Sequence, residues 1–128
     1  MPKKPLISIV DDDESVCEAT RDLMDAAGYA AATFPSAESF LRSDRRQRTS
    51  CLIADVQMPG MTGLELHTRL AASEKPIPTV LITAYPDERV RARALKAGVI
   101  CYLTKPFTEE ALLGCIQSAL GRDDEGSN

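Results

Sequence analysis

The sequence feature that most constrains the fold is a short apolar run, residues 51–54, that ends in Asp55. Four apolar residues bounded by polar ones are too few for a helix and are typical of a buried strand in a parallel sheet. Met58-Pro59-Gly60 then ends the strand, because proline lacks the N–H that a ladder requires and glycine adopts turn conformations. Ligands of open α/β sheets gather at the carboxyl ends of strands. Asp55 is therefore a candidate site residue, although an aspartate there more often forms a turn or caps a helix.

The composition is typical of one globular domain. The chain has 128 residues, of which 44% are hydrophobic and 27% charged, enough for a single core. It has neither an apolar run of the ~20 residues that a spanning helix needs nor a signal peptide pattern, so we expect a cytoplasmic protein without membrane contact. The net charge of −4 argues against a nucleic-acid surface. We expect a domain over residues 1–121, then a polar tail or the start of a linker over residues 122–128.

The cysteines and the histidine carry no recognisable metal motif. Cys17, Cys51, Cys101 and Cys115 are far apart in apolar surroundings, so we predict reduced core residues rather than zinc ligands or disulfides. His67 is the one histidine of the chain, and we expect it at a helix surface. Residues 43–50 contain three arginines without periodicity, which predicts an exposed loop.

Strands and helices alternate five times along the chain. Apolar β-branched runs predict strands at residues 6–10, 29–34, 51–55, 79–83 and 99–103. Amphipathic patterns predict helices over residues 14–27, from 36, over 62–73, over 86–97 and from 108, with Asp13, Ser36 and Thr62 as N-caps. These spacings predict βα units with right-handed crossovers. The fold class is therefore a doubly wound α/β domain with a five-stranded parallel sheet and five helices.

Polar side chains follow four of the predicted strands and meet at one edge of the sheet. They are Asp11 and Asp12 after the first strand, Asp55 after the third, Thr83 after the fourth and Lys105 after the fifth. Three carboxylates would repel one another unless a cation neutralises them, and oxygen ligands without histidine or thiolate favour Mg²⁺. A lysine and a threonine suit a phosphoryl group. Together these are the requirements of phosphoryl transfer, with Asp55 as the nucleophile that forms an acyl phosphate.

In this order and strand pattern, the residues resemble the receiver domain of bacterial two-component response regulators. The resemblance covers about residues 6–120 and implies the flavodoxin-like (CheY-like) fold with strand order 2-1-3-4-5. It implies that Asp55 accepts phosphate from a sensor histidine kinase, a regulatory role rather than an enzyme's turnover of external substrate. Asp12, Asp55 and the backbone carbonyl of Gln57 would bind Mg²⁺, for which Mn²⁺ could substitute, and Asp11 would act through a water molecule.

The resemblance also implies a conformational switch. Thr83 would turn toward the phosphoryl group, Lys105 would pair with it, and the ring of Tyr102 would move inward. The surface formed by the fourth helix, fifth strand and fifth helix would change as a result. A cis peptide bond between Lys105 and Pro106 is usual in this family.

Two positions beside the site and one surface carry further expectations. Gln57 and Tyr85 flank the phosphoryl site, and we expect them to tune how readily water attacks the acyl phosphate. We expect phosphorylation to promote a homodimer through the surface that carries Arg89, Arg93 and Tyr102.

Residues 36–41 (SAESFL) and 60–66 (GMTGLEL) are most similar to the FixJ-type branch of the family. Its members usually carry a C-terminal helix-turn-helix DNA-binding domain, so we expect either a transcriptional output domain or a stand-alone receiver.

Three other interpretations remain. A degenerate receiver could dock partners without phosphorylation. An aspartyl-phosphate phosphohydrolase is disfavoured because Gln57 stands where such enzymes generally have a second aspartate. A flavin-binding domain is disfavoured by the acids where a phosphate-binding loop would lie.

Overall fold

One parallel sheet forms the centre of the computed structural model, which describes residues 4–126. Within these residues the strands are β1 (Leu6–Val10), β2 (Ala30–Phe34), β3 (Thr49–Asp55), β4 (Thr79–Thr83) and β5 (Cys101–Thr104). Their order is β2-β1-β3-β4-β5, and all neighbouring strands pair in parallel. The predicted doubly wound, flavodoxin-like order 2-1-3-4-5 is therefore confirmed.

Helices cover both faces of this sheet. They are α1 (Glu14–Ala26), α2 (Ala37–Arg42), α3 (Gly63–Ala71), α4 (Glu88–Lys96) and α5 (Glu109–Gly126). The side chains of Asp13, Ser36 and Thr62 accept backbone N–H groups at the starts of α1, α2 and α3, as predicted, and the latter two form capping boxes. Among the described residues, no helix combines the length and apolar character that crossing a bilayer requires.

Several element boundaries differ from the sequence prediction, among them the starts of β3 at Thr49 rather than residue 51 and of β5 at Cys101 rather than residue 99. The helix α4 begins at Glu88 rather than Pro86, because the Asp87 carboxylate accepts the free N–H groups of the first turn and so caps the helix there. Residues 43–50 are not entirely a loop, since Asp44–Arg48 forms a 3₁₀ helix capped by the Ser43 hydroxyl. The last helix continues to Gly126 and so includes residues of the predicted polar tail.

Two apolar layers, one on each face of the sheet, form the core. One contains Val10, Phe40, Leu52, Leu66, Leu70 and Leu81, and the other contains Ile7, Ile9, Met24, Ile53, Ile82 and Ile116. Successive strand residues such as Leu52 and Ile53 point into opposite layers, and both are fully buried. Because helices cover both faces, the strands are mostly apolar, which explains the apolar runs in the sequence; the hydroxyls of Ser8 and Thr49, which are buried on β1 and β3, bond to each other at 2.7 Å.

The prediction that all cysteines are reduced is wrong for one pair. Cys101 of β5 and Cys115 of α5 are joined by a disulfide, with their Cα atoms 6.1 Å apart. That separation lies within the range that a disulfide spans. It arises because α5 returns across the face of the sheet that carries Cys101, a contact that the sequence spacing does not reveal. Cys17 and Cys51 are buried, as expected of core residues.

The expectation that His67 lies at the surface is also wrong. Its side chain is buried, and its Nε2 atom lies 3.1 Å from the carbonyl oxygen of Ala97, the residue that ends α4. The reason is that α3 packs beside the end of α4, so the histidine satisfies an exposed carbonyl of that helix terminus.

Candidate functional site

The carboxyl ends of β1, β3 and β5 bring three charged side chains into direct contact. The ammonium of Lys105 donates to Asp11 Oδ2 at 2.9 Å and to Asp55 Oδ2 at 3.1 Å. Asp11 follows β1, Asp55 is the last residue of β3, and Lys105 follows β5. Because β1 and β3 are neighbours and β5 lies beyond β4, only a long side chain can reach both aspartates from β5. The predicted gathering of charged residues at this edge is confirmed for these three.

Asp12 completes a cluster of carboxylates at the same edge. One carboxylate oxygen from each of Asp11, Asp12 and Asp55 lies within 4.8 Å of the others. Asp11 and Asp55 are buried, whereas Asp12 is exposed and opens the cluster to water. Three carboxylates and one ammonium leave a formal charge of about −2 when all are ionised. Hard oxygen donors with this charge and access to water fit Mg²⁺, which prefers oxygen ligands and retains several waters.

Burial and the neighbouring charged groups shift the pKa values of Asp11 and Lys105. Burial raises the pKa of the Asp11 carboxyl above its ordinary value, and the Asp55 charge adds to that effect, against hydrogen bonds from Lys105 and the Asp13 N–H. Burial lowers the pKa of Lys105, but the two aspartates outweigh it and hold that pKa above the usual value. Lys105 therefore remains a cation at neutral pH. Burying the ionised Asp11 carboxylate still costs free energy, and a further cation would reduce that cost.

Backbone N–H groups fix the remaining oxygens of the two buried aspartates. Asp11 Oδ1 accepts from the Asp13 N–H at 2.9 Å, and Asp55 Oδ1 accepts from the Gln57 N–H at 3.0 Å. Each carboxylate is thus held by a backbone donor on one oxygen and by Lys105 on the other. The Gln57 side chain is exposed beside this arrangement. Both carboxylates are therefore oriented before any ligand arrives.

Thr83 lies at the same edge, at the end of β4. It is fully buried, and its hydroxyl accepts the Tyr85 N–H at 3.0 Å. The Lys105 backbone N–H donates to the Thr83 carbonyl oxygen at 2.7 Å, which ties the loop carrying the lysine to β4. The Tyr85 side chain is 69% exposed. The hydroxyl of Thr83 is thus engaged with its own loop rather than with the carboxylates.

Tyr102 connects β5 to the start of α4. Its half-buried ring packs against the core layer that contains Leu81, and its hydroxyl accepts the Asp87 N–H at 3.3 Å. Asp87 is the residue that caps α4. A movement of the ring would therefore break a contact with the helix that borders the site. The Lys105–Pro106 bond is cis, as the resemblance implies.

Sequence reasoning missed the part that Glu38 plays beside the site. From α2 its carboxylate accepts the Met61 N–H at 3.1 Å, and it lies against Gly60, where a Cβ would come 2.9 Å from Oε2. Gly63 begins α3 so close to β3 that a Cβ would overlap the Asp55 carbonyl oxygen. The loop between β3 and α3 is thus held by α2 on one side and by β3 on the other. No local pattern predicts this bond of Glu38, because its partner is a backbone group 23 residues away.

This fold and this arrangement of charged residues are found together in a known class of proteins. The response regulator receiver domain family matches residues 7–117. The chain belongs to this family, whose members are the phosphorylation-activated receivers of two-component systems, act as regulatory domains and bind Mg²⁺ through acidic residues.

Particular relatives agree with this assignment. The response regulator protein TmoT of Ectopseudomonas mendocina is 42% identical over 118 residues, 92% of this chain and 54% of that protein. The transcriptional regulatory protein FixJ of Bradyrhizobium diazoefficiens is 33% identical over 120 residues, 94% of this chain and 58% of that protein. The solved structure of response regulator StyR has a TM-score of 0.88 and 44% identity, covering 97% of this chain and 63% of that one. The chain thus spans little more than half the length of these curated relatives.

We predict that Glu38→Gln lowers stability at neutral pH and that the difference disappears in acid. Its own backbone N–H and that of Met61 lower the pKa of Glu38, so its ionised form contributes stability above the ordinary pKa of 4.5. That contribution is lost as pH falls through the lowered pKa, whereas the glutamine does not titrate.

Urea unfolding of both proteins between pH 7 and pH 3 measures this difference. Glu18→Gln, at an exposed position on α1, is the matched control and should leave the difference near zero throughout. A Glu38→Gln deficit that stays constant down to pH 3 would contradict the role of the carboxylate.

Proposed function

We propose that this chain receives a phosphoryl group on Asp55 from the phosphohistidine of a sensor histidine kinase. The observation that supports the proposal best is the bridge from Lys105 to Asp11 and Asp55, beside the exposed carboxylate of Asp12. A carboxylate oxygen of Asp55 would attack phosphorus while the P–N bond to the histidine breaks, and the imidazole leaves with the bonding electrons. The product is an acyl phosphate, and catalysis consists of positioning and charge neutralisation.

We propose that Asp12, Asp55 and the backbone carbonyl of Gln57 hold Mg²⁺, with Asp11 acting through a bound water molecule. Mn²⁺ could occupy the same ligands, since it shares the preference for oxygen donors. The charge and spacing of the carboxylates support this proposal. When bound, the cation neutralises charge on the phosphoryl oxygens.

The response to phosphorylation would then involve Lys105, Thr83 and Tyr102. The Lys105 ammonium already bonds to Asp55 and can pair with a phosphoryl oxygen, while the Thr83 hydroxyl would leave the Tyr85 N–H to donate to another. Charge-assisted bonds are worth roughly 1.5–3 kcal/mol each. Reversing a 1:99 equilibrium needs about 5.5 kcal/mol, and these two bonds supply part of it, because each replaces a bond that is already present. The Tyr102 ring would move inward, break its bond to Asp87 and so change the face formed by α4, β5 and α5.

We further propose that residues 1–121 are the receiver domain and that residues 122–128 lead toward a transcriptional output domain. The FixJ relative, a transcriptional regulatory protein longer than this chain, supports this organisation. The receiver itself would act in the cytoplasm without contacting a membrane. It would not contact nucleic acid, because its net charge is −4. Its chemistry would be limited to its own phosphorylation and dephosphorylation.

The function is tested by intact mass after incubation with acetyl phosphate. We expect an adduct of one phosphoryl group that requires Mg²⁺ and is absent in Asp55→Asn, because the amide is not a nucleophile for this reaction. Asp12→Ala should reduce the adduct at least tenfold, whereas Glu14→Ala, an exposed acid outside the carboxylate cluster, should retain it.

The rate at which the same adduct is lost tests the roles of two residues beside the site. We propose that Gln57 and Tyr85 tune hydrolysis of the acyl phosphate. Gln57→Ala and Tyr85→Ala should therefore each change the rate at which the adduct is lost, and unchanged rates would remove that role.

An adduct that persists in Asp55→Asn would overturn the assignment of Asp55. No adduct under any condition would favour a receiver that docks partners without phosphorylation.

We propose that phosphorylation promotes a homodimer through the face that carries Arg89, Arg93 and Tyr102. Sedimentation velocity should detect a monomer that becomes a dimer with beryllofluoride and Mg²⁺. Charge reversal by Arg89→Glu with Arg93→Glu should weaken the dimer at least tenfold, whereas Arg21→Glu, exposed on α1, should not. A monomer in every condition would contradict this proposal and leave phosphorylation at Asp55 unaffected.

A further inference from the structure

We propose that Cys101 and Cys115 form a reversible, redox-sensitive bridge that ties β5 to α5. The disulfide between them spans 14 residues of sequence, with a Cα separation of 6.1 Å. The inference that the bridge is reversible relies on the cytoplasmic location proposed above. Cytosolic thiols are kept reduced, and disulfides that form there are usually transient, catalytic or redox-sensing.

The two cysteine residues differ in their exposure to solvent. Cys101 is half-buried on β5, the strand at the edge of the sheet, whereas Cys115 is 7% exposed within the core layer under α5. A small oxidant can therefore reach Cys101 first, and Cys115 is positioned to resolve the product. This is the arrangement of an accessible thiol beside a resolving one that redox-sensing pairs use.

The reaction balances with a small-molecule disulfide such as glutathione disulfide as the oxidant. The Cys101 thiolate attacks one sulfur of that disulfide, and a glutathione thiolate leaves. The Cys115 thiolate then attacks Cys101 Sγ in the mixed disulfide and releases the second glutathione thiolate. The protein loses two electrons and two protons, and the oxidant is reduced to two thiols. Excess reduced glutathione reverses both steps.

The bridged segment contains the parts of the proposed switch that lie on β5 and directly after it. Tyr102 follows Cys101 directly, and Lys105 lies inside the covalent loop, whereas Asp11, Asp12 and Asp55 are on other strands. Oxidation would fix β5 relative to α5 while leaving the carboxylates in place. Closing a loop of this size in the unfolded chain should raise the melting temperature by roughly 10 °C.

Peptide mapping tests the bridge directly in the full chain. The protein is equilibrated with glutathione disulfide or with dithiothreitol, denatured in N-ethylmaleimide and digested with trypsin. Residues 97–122 form one peptide that contains both cysteines of the pair and neither of the others, because trypsin does not cleave between Lys105 and Pro106. We expect two maleimide groups on this peptide after reduction and none after oxidation, with the melting temperature rising as they disappear.

Variants separate the pair from the other cysteines. Cys115→Ser should abolish the rise in melting temperature on oxidation, and Cys17→Ser, at a buried position on α1, should retain it. Two maleimide groups on the 97–122 peptide at every ratio of oxidised to reduced glutathione would overturn the proposal, as would a bridge that excess glutathione does not reduce. Neither measurement depends on phosphorylation, so failure of the phosphoryl adduct would not affect this result, nor the reverse.

Discussion

The rest of the site depends on one ammonium group held between two buried carboxylates. Lys105 contacts Asp11 and Asp55 at 2.9 and 3.1 Å, and these three residues belong to the ends of β5, β1 and β3. Two buried aspartates with carboxylate oxygens within 4.8 Å of each other would be costly without a cation, and Lys105 is the cation that the fold itself supplies. The edge of the sheet is thereby joined across strands that are not all neighbours.

This charge balance links the chemistry to the conformational response. A phosphoryl group on Asp55 would compete for the ammonium that now bonds to both aspartates, so Lys105 must redistribute its hydrogen bonds. Lys105 also donates its backbone N–H to Thr83, and Tyr102 lies three residues earlier on the same chain segment. A change at the carboxylates can therefore reach the start of α4 through Tyr102 and Asp87 over a short series of contacts. The disulfide from Cys101 to Cys115 encloses this same segment.

The parts of the structure that follow from local rules were predictable. Short apolar runs predicted the strands. The N-caps Ser36 and Thr62 predicted the starts of α2 and α3, because a capping hydroxyl accepts a backbone N–H only three residues further along the chain. The gathering of Asp11, Asp55 and Lys105 followed from topology, since parallel strands share one carboxyl edge. By contrast, the Cys101 bridge, the burial of His67 and the bond from Glu38 to Met61 depend on how helices lie against other elements. The sequence pattern of a single helix does not contain that information.

A double-mutant cycle between Lys105 and Asp11 tests the central claim most directly. Urea unfolding in EDTA would give the free energy of unfolding for wild type, Lys105→Met, Asp11→Asn and the double variant. If the ammonium offsets the buried charge, the coupling energy should be at least about 1.5 kcal/mol, because the single lysine variant leaves Asp11 without its partner. Effects that add to within about 0.5 kcal/mol would contradict the claim that this bridge holds the edge of the sheet together.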